Sequence, residues 1–64
     1  MENRIAEFRK LKGWSQQVLA DKLGVKYQQI RTWEKGLNTP SLRWAMILAR
    51  EFGTTVEELF LLDD

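Results

Sequence analysis

The chain has 64 residues, enough for one domain with one hydrophobic core. It contains no cysteine and no histidine, which excludes disulfides, thiolate metal sites and the commonest catalytic base. Its longest apolar run, at 44–49, has six residues, whereas a membrane-spanning helix needs about 20. Charges interrupt the first residues, so no signal-peptide profile is present. We expect a cytoplasmic protein with no cofactor, metal or membrane partner.

The charge is unevenly distributed along the chain. Residues 1–50 hold all ten Lys and Arg residues and four acids, a balance of +6, although the whole chain carries only +1. Residues 51–64 hold five acids and no base, a balance of −5. This polarity fits a domain that approaches a phosphate backbone with its acidic end turned away. Chance segregation on a solvated surface is the alternative.

Helical periodicity, punctuated by glycine, dominates the sequence. Glycines at 13, 24, 36 and 53 each follow an amphipathic segment, and glycine is favoured just beyond a helix end. No segment alternates with a period of two, so no strand is predicted. The pattern predicts five helices, at about 2–12, 16–23, 27–35, 42–52 and 56–61.

Capping residues support the first two helices and their junction. Ile5 and Phe8 form the inward face of the first helix. Ser15 is a natural N-cap for the second helix, because its hydroxyl can accept from an unpaired amide. Trp14 and Leu19 then occupy the two positions of a hydrophobic staple.

The later helices carry similar signals. Ile30 and Trp33 form the buried face of the third helix, and the residue before that helix is Lys26, which offers no side-chain oxygen as an N-cap. The fourth helix is capped by Thr39 or by Ser41. The last begins with the capping box Thr55–Glu58. The fourth helix's predicted inner stripe consists of Leu42, Ala45, Leu48, Ala49 and Phe52.

The second and third helices have the layout of a helix-turn-helix. Ala20 is small where two helices must cross closely, and Gly24 lies where the chain must turn within about three residues. In such a unit the second helix projects into a DNA groove. Lys26, Tyr27, Gln28, Arg31 and Thr32 fall opposite the buried face.

With these residues the chain resembles the Cro and phage-repressor class of helix-turn-helix proteins, the xenobiotic-response-element family. The resemblance covers nearly the whole chain and implies a compact all-α five-helix bundle that binds double-stranded DNA, commonly as a homodimer on a two-fold operator. The matching motifs are R-x-x-x-G-W-S-Q at 9–16, L-A-x-x-L-G-V at 19–25, I-x-x-W-E-x-G at 30–36, P-S-L at 40–42 and F-G at 52–53.

If the third helix docks in the major groove, its polar residues contact the edges of the bases. Gln28 is the first candidate, since a carboxamide can pair with adenine N6 and N7. Arg31 could bind guanine O6 and N7 or a phosphate. Tyr27 lies where the family often has its first base-contacting side chain. Thr32 is a further candidate, and Gln29 a secondary one.

Other positions match the family's backbone contacts and its internal ion pair. The resemblance gives Gln16 a contact to the DNA backbone and to the recognition helix. It also implies that Arg9 and Glu34 form a partly buried ion pair between the first helix and the end of the third. The further backbone contacts that we expect are Lys26, Lys35, Asn38, Thr39 and Arg43.

Apolar residues outside the usual pattern suggest a partner surface. Ile47 lies on a face of the fourth helix that is usually polar, and Leu61 and Leu62 extend the apolar end of the chain. We expect these three residues to contribute to a homodimer.

Together these patterns predict a sequence-specific DNA-binding transcriptional regulator, repressor-like, and not an enzyme, because no nucleophile–base set or glycine-rich phosphate loop is present. Two alternatives stay open. One is a protein-binding module on the same fold, antitoxin-like or an adaptor. The other is a redesigned scaffold without DNA activity.

Overall fold

The computed structural model describes residues 1–62 and contains five helices within them. The all-α five-helix prediction is confirmed, and the folded particle measures 33 × 22 × 20 Å. The helices are α1 (Ile5–Leu11), α2 (Gln16–Leu23), α3 (Tyr27–Glu34), α4 (Leu42–Phe52) and α5 (Val56–Leu59). The bounds of α2 and α4 agree with the sequence pattern, and α3 ends one residue early with Lys35 as its C-cap.

The first helix begins at Ile5, so the predicted start at residue 2 is wrong. The preceding residues pair instead with the end of the chain: Asn3 and Phe60 form an antiparallel bridge, and the Arg4 N–H donates to Leu59 O at 2.8 Å. The Asn3 side-chain oxygen also accepts from the Ile5 N–H at 3.1 Å. Glu2 O and the Arg4 N–H are therefore used for long-range pairing, and only the Arg4 carbonyl, which accepts from the Phe8 N–H, takes part in the first helical turn.

The last helix is also shorter than predicted, because it ends at Leu59 and not at residue 61. Phe60 has extended dihedrals, φ −118° and ψ 128°, as its bridge to Asn3 requires. Only half of the predicted capping box forms. The Thr55 hydroxyl accepts from the Glu58 N–H at 3.2 Å, but the Glu58 carboxylate accepts from the Thr54 hydroxyl at 2.9 Å.

Serine hydroxyls cap α2 and α4. Ser15 accepts from the Val18 N–H at 3.1 Å, as predicted. Ser41 accepts from the Trp44 N–H at 3.3 Å, which decides between the two caps that the sequence left open for α4. Each hydroxyl satisfies one amide that has no partner within its helix.

One core joins all five helices. Side chains with no exposed surface come from α1 (Ile5), α2 (Leu19), α3 (Ile30), α4 (Leu48) and α5 (Leu59).

Leu42 does not belong to this core, contrary to the predicted inner stripe. Its side chain is 72% exposed, because it lies in the first turn of α4 at the rim of an open groove. The other four members of that stripe are buried.

The helix-turn-helix is held by close packing and a left-handed turn. Ala20 has no exposed surface, so its methyl group sets the approach of α3 to α2. Gly24 ends α2 with φ +72°, a conformation that side chains with a Cβ rarely adopt. The Val25 N–H then donates a hydrogen bond to Ala20 O at 3.0 Å and fixes the direction in which α3 leaves the turn.

Candidate nucleic-acid interface

The third helix has one buried face and one polar face that is open to solvent. Ile30 and Trp33 are buried at 0% and 3% exposure. Lys26, Tyr27 and Gln28 lie at the start of the helix and are exposed. The N-terminal end of α3, the part that a helix-turn-helix inserts into the major groove, is therefore accessible.

The remaining members of the polar face are half-buried. Arg31 and Thr32 lie one turn further along, and Gln29 lies at the edge of the face. The Thr32 hydroxyl donates to Gln28 O at 2.9 Å, so its proton is used within the helix. The Arg31 guanidinium carbon lies 5.8 Å from the centroid of the Tyr27 ring.

No side chain caps the start of α3. Lys26 has extended dihedrals and makes no side-chain hydrogen bond to the first turn, as the absence of Ser or Thr at this position predicts. The first amides of a helix and its dipole attract anions. The ammonium group of Lys26 adds a positive charge beside them, so this end of the helix suits a phosphate.

The start of α3 and the loop before α4 enclose an open cleft of about 400 Å³. Four predicted DNA contacts line this cleft together: Lys26 and Gln28 from one side, and Asn38 and Thr39 from the other. Trp33 and Trp44 contribute to its apolar lining, with ring centroids 6.0 Å apart. The cleft places amide and hydroxyl donors next to the exposed end of the recognition helix.

Three predicted backbone contacts lie outside this cleft, and one of them, Gln16, is half-buried at the start of α2. Lys35 lines a separate recess of about 450 Å³, together with Glu2 and Glu34. Arg43 lines a groove of about 780 Å³ between α4 and the start of α5. Both are exposed, but the structure does not bring them together with Lys26.

A buried ion pair connects the recognition helix to the rest of the fold. Arg9 Nε lies 2.7 Å from Glu34 Oε2, and Arg9 Nη2 donates to Oε1 at 3.2 Å. The two side chains are only 11% and 8% exposed. Arg9 Nη1 donates to Trp14 O at 2.9 Å, and Gln16 Nε2 donates to Glu34 Oε1 at 2.9 Å. The Glu34 carboxylate thus connects the end of α3 to α1 and to the start of α2.

Asn3 is a structural contributor that the sequence reasoning missed. Its side-chain amide donates to Trp33 O at 2.8 Å, near the C-terminal end of α3. The N-terminal segment therefore lies against the far end of the recognition helix and leaves Gln28 exposed. An asparagine two residues before an apolar helix is a capping signal that could have indicated the later start of α1.

The three apolar residues expected at a partner surface are not all in one place. Ile47 is half-buried and lines the groove between α4 and α5, beside the 58%-exposed Met46. Leu61 is half-buried, and its N–H donates to Glu2 O at 3.0 Å. Leu62 is 75% exposed, and neither leucine lines that groove.

Two features are absent from the part of the chain that the structure describes. Within residues 1–62, no helix has the length and apolar character to span a bilayer. The same residues contain no cluster of three carboxylates, histidines or cysteines that could hold a metal ion.

Comparison with known proteins agrees with this architecture. A helix-turn-helix family model matches residues 5–59, most of the chain. An uncharacterized HTH-type transcriptional regulator of Archaeoglobus fulgidus is 47% identical over 64 residues, covering all of this chain and 91% of the relative. Another from Methanocaldococcus jannaschii is 41% identical, covering all of this chain and 97% of the relative. The HTH-type transcriptional regulator AnsR of Bacillus subtilis is 42% identical over 57 residues, covering 89% of this chain and 49% of AnsR.

The matched region includes both helices of the unit, the turn between them and the Arg9–Glu34 pair. The chain therefore belongs to the helix-turn-helix family of DNA-binding transcriptional regulators, in the Cro and phage-repressor class.

Proposed function

We propose that this regulator acts as a repressor by occupancy: a homodimer inserts two copies of α3 into successive major grooves of a two-fold operator and blocks transcription there. The observation that carries the proposal is the accessible polar start of α3, with Gln28 exposed beside the cleft that Lys26, Asn38 and Thr39 line. The proposed role is DNA binding without enzymatic chemistry, and the proposed location is the cytoplasm.

Gln28 is the proposed base reader. Its carboxamide is exposed in the first turn of α3, and its geometry suits a bidentate contact with adenine. The other proposed base contacts are Arg31 and Thr32, and Tyr27 lies against Arg31. Because the Thr32 hydroxyl donates within the helix, we propose that Thr32 contacts DNA through its methyl group or as an acceptor.

Phosphate contacts supply most of the proposed affinity. Lys26, Lys35 and Arg43 give three cations in each copy, and Gln16, Asn38 and Thr39 add neutral donors. Six cations in a dimer predict that log affinity falls against log salt with a slope of about −5.

Two copies must lie about 34–36 Å apart to reach successive major grooves. A particle of 33 × 22 × 20 Å is small enough for two copies to fit side by side at that spacing. We propose that Ile47, Leu61 and Leu62 contribute to their contact, because exposed Leu62 and half-buried Ile47 leave apolar surface in water.

The direct test is selection of binding sites from a pool of random duplexes. We expect an enriched sequence with two-fold symmetry, bound with the salt slope given above. Gln28→Ala should relax the preference at one base pair in each half-site, whereas Lys26→Ala should weaken all sequences alike. A pool without enrichment, or binding that does not change with salt, would contradict the proposal and favour the protein-binding alternative.

The dimer is tested separately by light scattering coupled to chromatography, with and without the enriched duplex. Ile47→Asp should reduce the dimeric fraction or the cooperativity of DNA binding. Leu11→Asp is a matched control, since Leu11 is 77% exposed on α1 and is not in the proposed contact. Equal effects of the two variants would argue against this contact.

A further inference from the structure

Tyr27 and Arg31 lie one helical turn apart on the polar face of α3 and contact each other. The guanidinium carbon of Arg31 is 5.8 Å from the centroid of the Tyr27 ring, within the range of a cation–π interaction. Residues four apart on a helix are neighbours on its surface, so this contact needs no other element. Tyr27 is 39% exposed, and Arg31 is half-buried.

This contact differs from the ion pairs that Arg4 and Arg9 form. Arg9 donates two N–H groups to the Glu34 carboxylate, and Arg4 lies 3.8 Å from the Glu7 carboxylate. Within residues 1–62 no ion pair involves Arg31. A cation–π contact needs no hydrogen-bond acceptor, so it does not engage the N–H donors of the guanidinium as a carboxylate does.

Restricting this side chain before binding has a consequence for recognition. A free arginine side chain loses much rotamer freedom when it is fixed against a base. A ring that already holds the guanidinium lowers that loss, and bidentate recognition of guanine O6 and N7 depends on the orientation of the guanidinium.

We propose that Tyr27 is a positioning residue for Arg31: its ring holds the guanidinium, and Arg31 reads a guanine in the operator. The inference rests on the function proposed above and deepens it, because it assigns the reading to Arg31 and the orientation to Tyr27. The phenol hydroxyl has no part in this role.

The test is a double-mutant cycle on the enriched duplex and on duplexes that replace its guanines one at a time. Arg31→Ala should abolish the preference at one guanine. Tyr27→Leu should lower the same preference by about 2- to 5-fold, the range of an exposed cation–π contact. Tyr27→Phe should keep it, since the ring remains. In the Arg31→Ala background, Tyr27→Leu should have no further effect at that base pair.

A second measurement tests the contact without DNA. In the free protein, ring-current shifts of the Arg31 side-chain protons should persist in Tyr27→Phe and disappear in Tyr27→Leu. Far-UV circular dichroism of each variant verifies that α3 is intact.

Three results would overturn the inference. They are additive effects of Tyr27→Leu and Arg31→Ala, an equal loss with Tyr27→Phe, and a changed preference at a different base pair, which would mean that Tyr27 reads a base itself. Each leaves the proposed function standing, provided that the wild type binds its enriched duplex with the expected salt slope. Failure of the wild type to enrich any site would contradict the proposed function instead, and the ring-current measurement would still report on the contact.

Discussion

Removal of Arg9 tests how far the fold depends on the ion pair below the recognition helix. Arg9→Met keeps the length of the apolar stem but removes three hydrogen bonds: two to Glu34, at 2.7 and 3.2 Å, and one to Trp14 O at 2.9 Å. Glu34 keeps Gln16 as its donor, while its side chain is only 8% exposed. The variant therefore leaves a nearly buried carboxylate without its counter-ion.

The magnitude follows from that burial. Breaking a buried pair by removing one partner costs about 3–5 kcal/mol, because the remaining charge is stranded. A domain of this size loses about 4–8 °C in melting temperature for each kcal/mol, so we expect a fall of at least about 12 °C. Small domains have a free energy of unfolding of only about 5–15 kcal/mol, so the substitution should remove a large part of it.

The assay is urea unfolding followed by tryptophan fluorescence, together with thermal unfolding followed by circular dichroism. Arg4→Met is the matched control, because the Arg4–Glu7 pair has a 3.8 Å separation and side chains that are 46% and 63% exposed. Such an exposed pair contributes under about 1 kcal/mol. Equal stability of the two variants would refute the reasoning.

A double variant keeps the test informative if Arg9→Met does not fold. Replacing both charges, with Arg9→Met and Glu34→Leu, removes the stranded carboxylate. Since apolar replacement of a buried pair is often neutral, the double variant should be more stable than Arg9→Met alone. A double variant less stable than the single one would show that the loss comes from packing and not from the unpaired charge.

The other predictions concern the supports of this core, and urea unfolding measures each. Gly36 and Gly13 both have a positive φ, but a Cβ at Gly36 would lie 3.0 Å from Met1 O, whereas one at Gly13 meets nothing within 4 Å. Gly36→Ala should therefore destabilise the protein more than Gly13→Ala. Equal losses of stability would mean that the N-terminal segment moves away without cost. Asn3→Ala should cost about 1–2 kcal/mol, because it removes a donor to Trp33 O and an acceptor for the Ile5 amide; no measurable loss would contradict this capping role. Leu48→Ala should cost about 2–5 kcal/mol, whereas Leu42→Ala should change little, since their exposures are 0% and 72%; similar costs would contradict the exposed position of Leu42.

Local chemistry made much of this protein predictable. Helix caps and glycine ends act over three or four residues, so Ser15 and Gly24 determine where α2 begins and ends without reference to the rest of the fold. Helical periodicity likewise separates the buried side of α3, with Ile30 and Trp33, from the polar side with Gln28. These short-range rules account for the fold class and for the exposed start of the recognition helix.

Long-range pairing determined the helix ends and the site arrangement that local rules could not predict. The start of α1 and the end of α5 depend on the bridge between Asn3 and Phe60, residues 57 positions apart that no local pattern connects. The arrangement of the candidate DNA contacts also depends on the tertiary structure. Hydrogen-bond donors near α3 and before α4 are visible in the sequence, but only the folded loop places Lys26 and Asn38 in one cleft. Lys35 and Arg43 lie on other surfaces. Periodicity determines which side of a helix is apolar, whereas the packing of neighbouring elements determines how much of that side is covered and which polar groups meet.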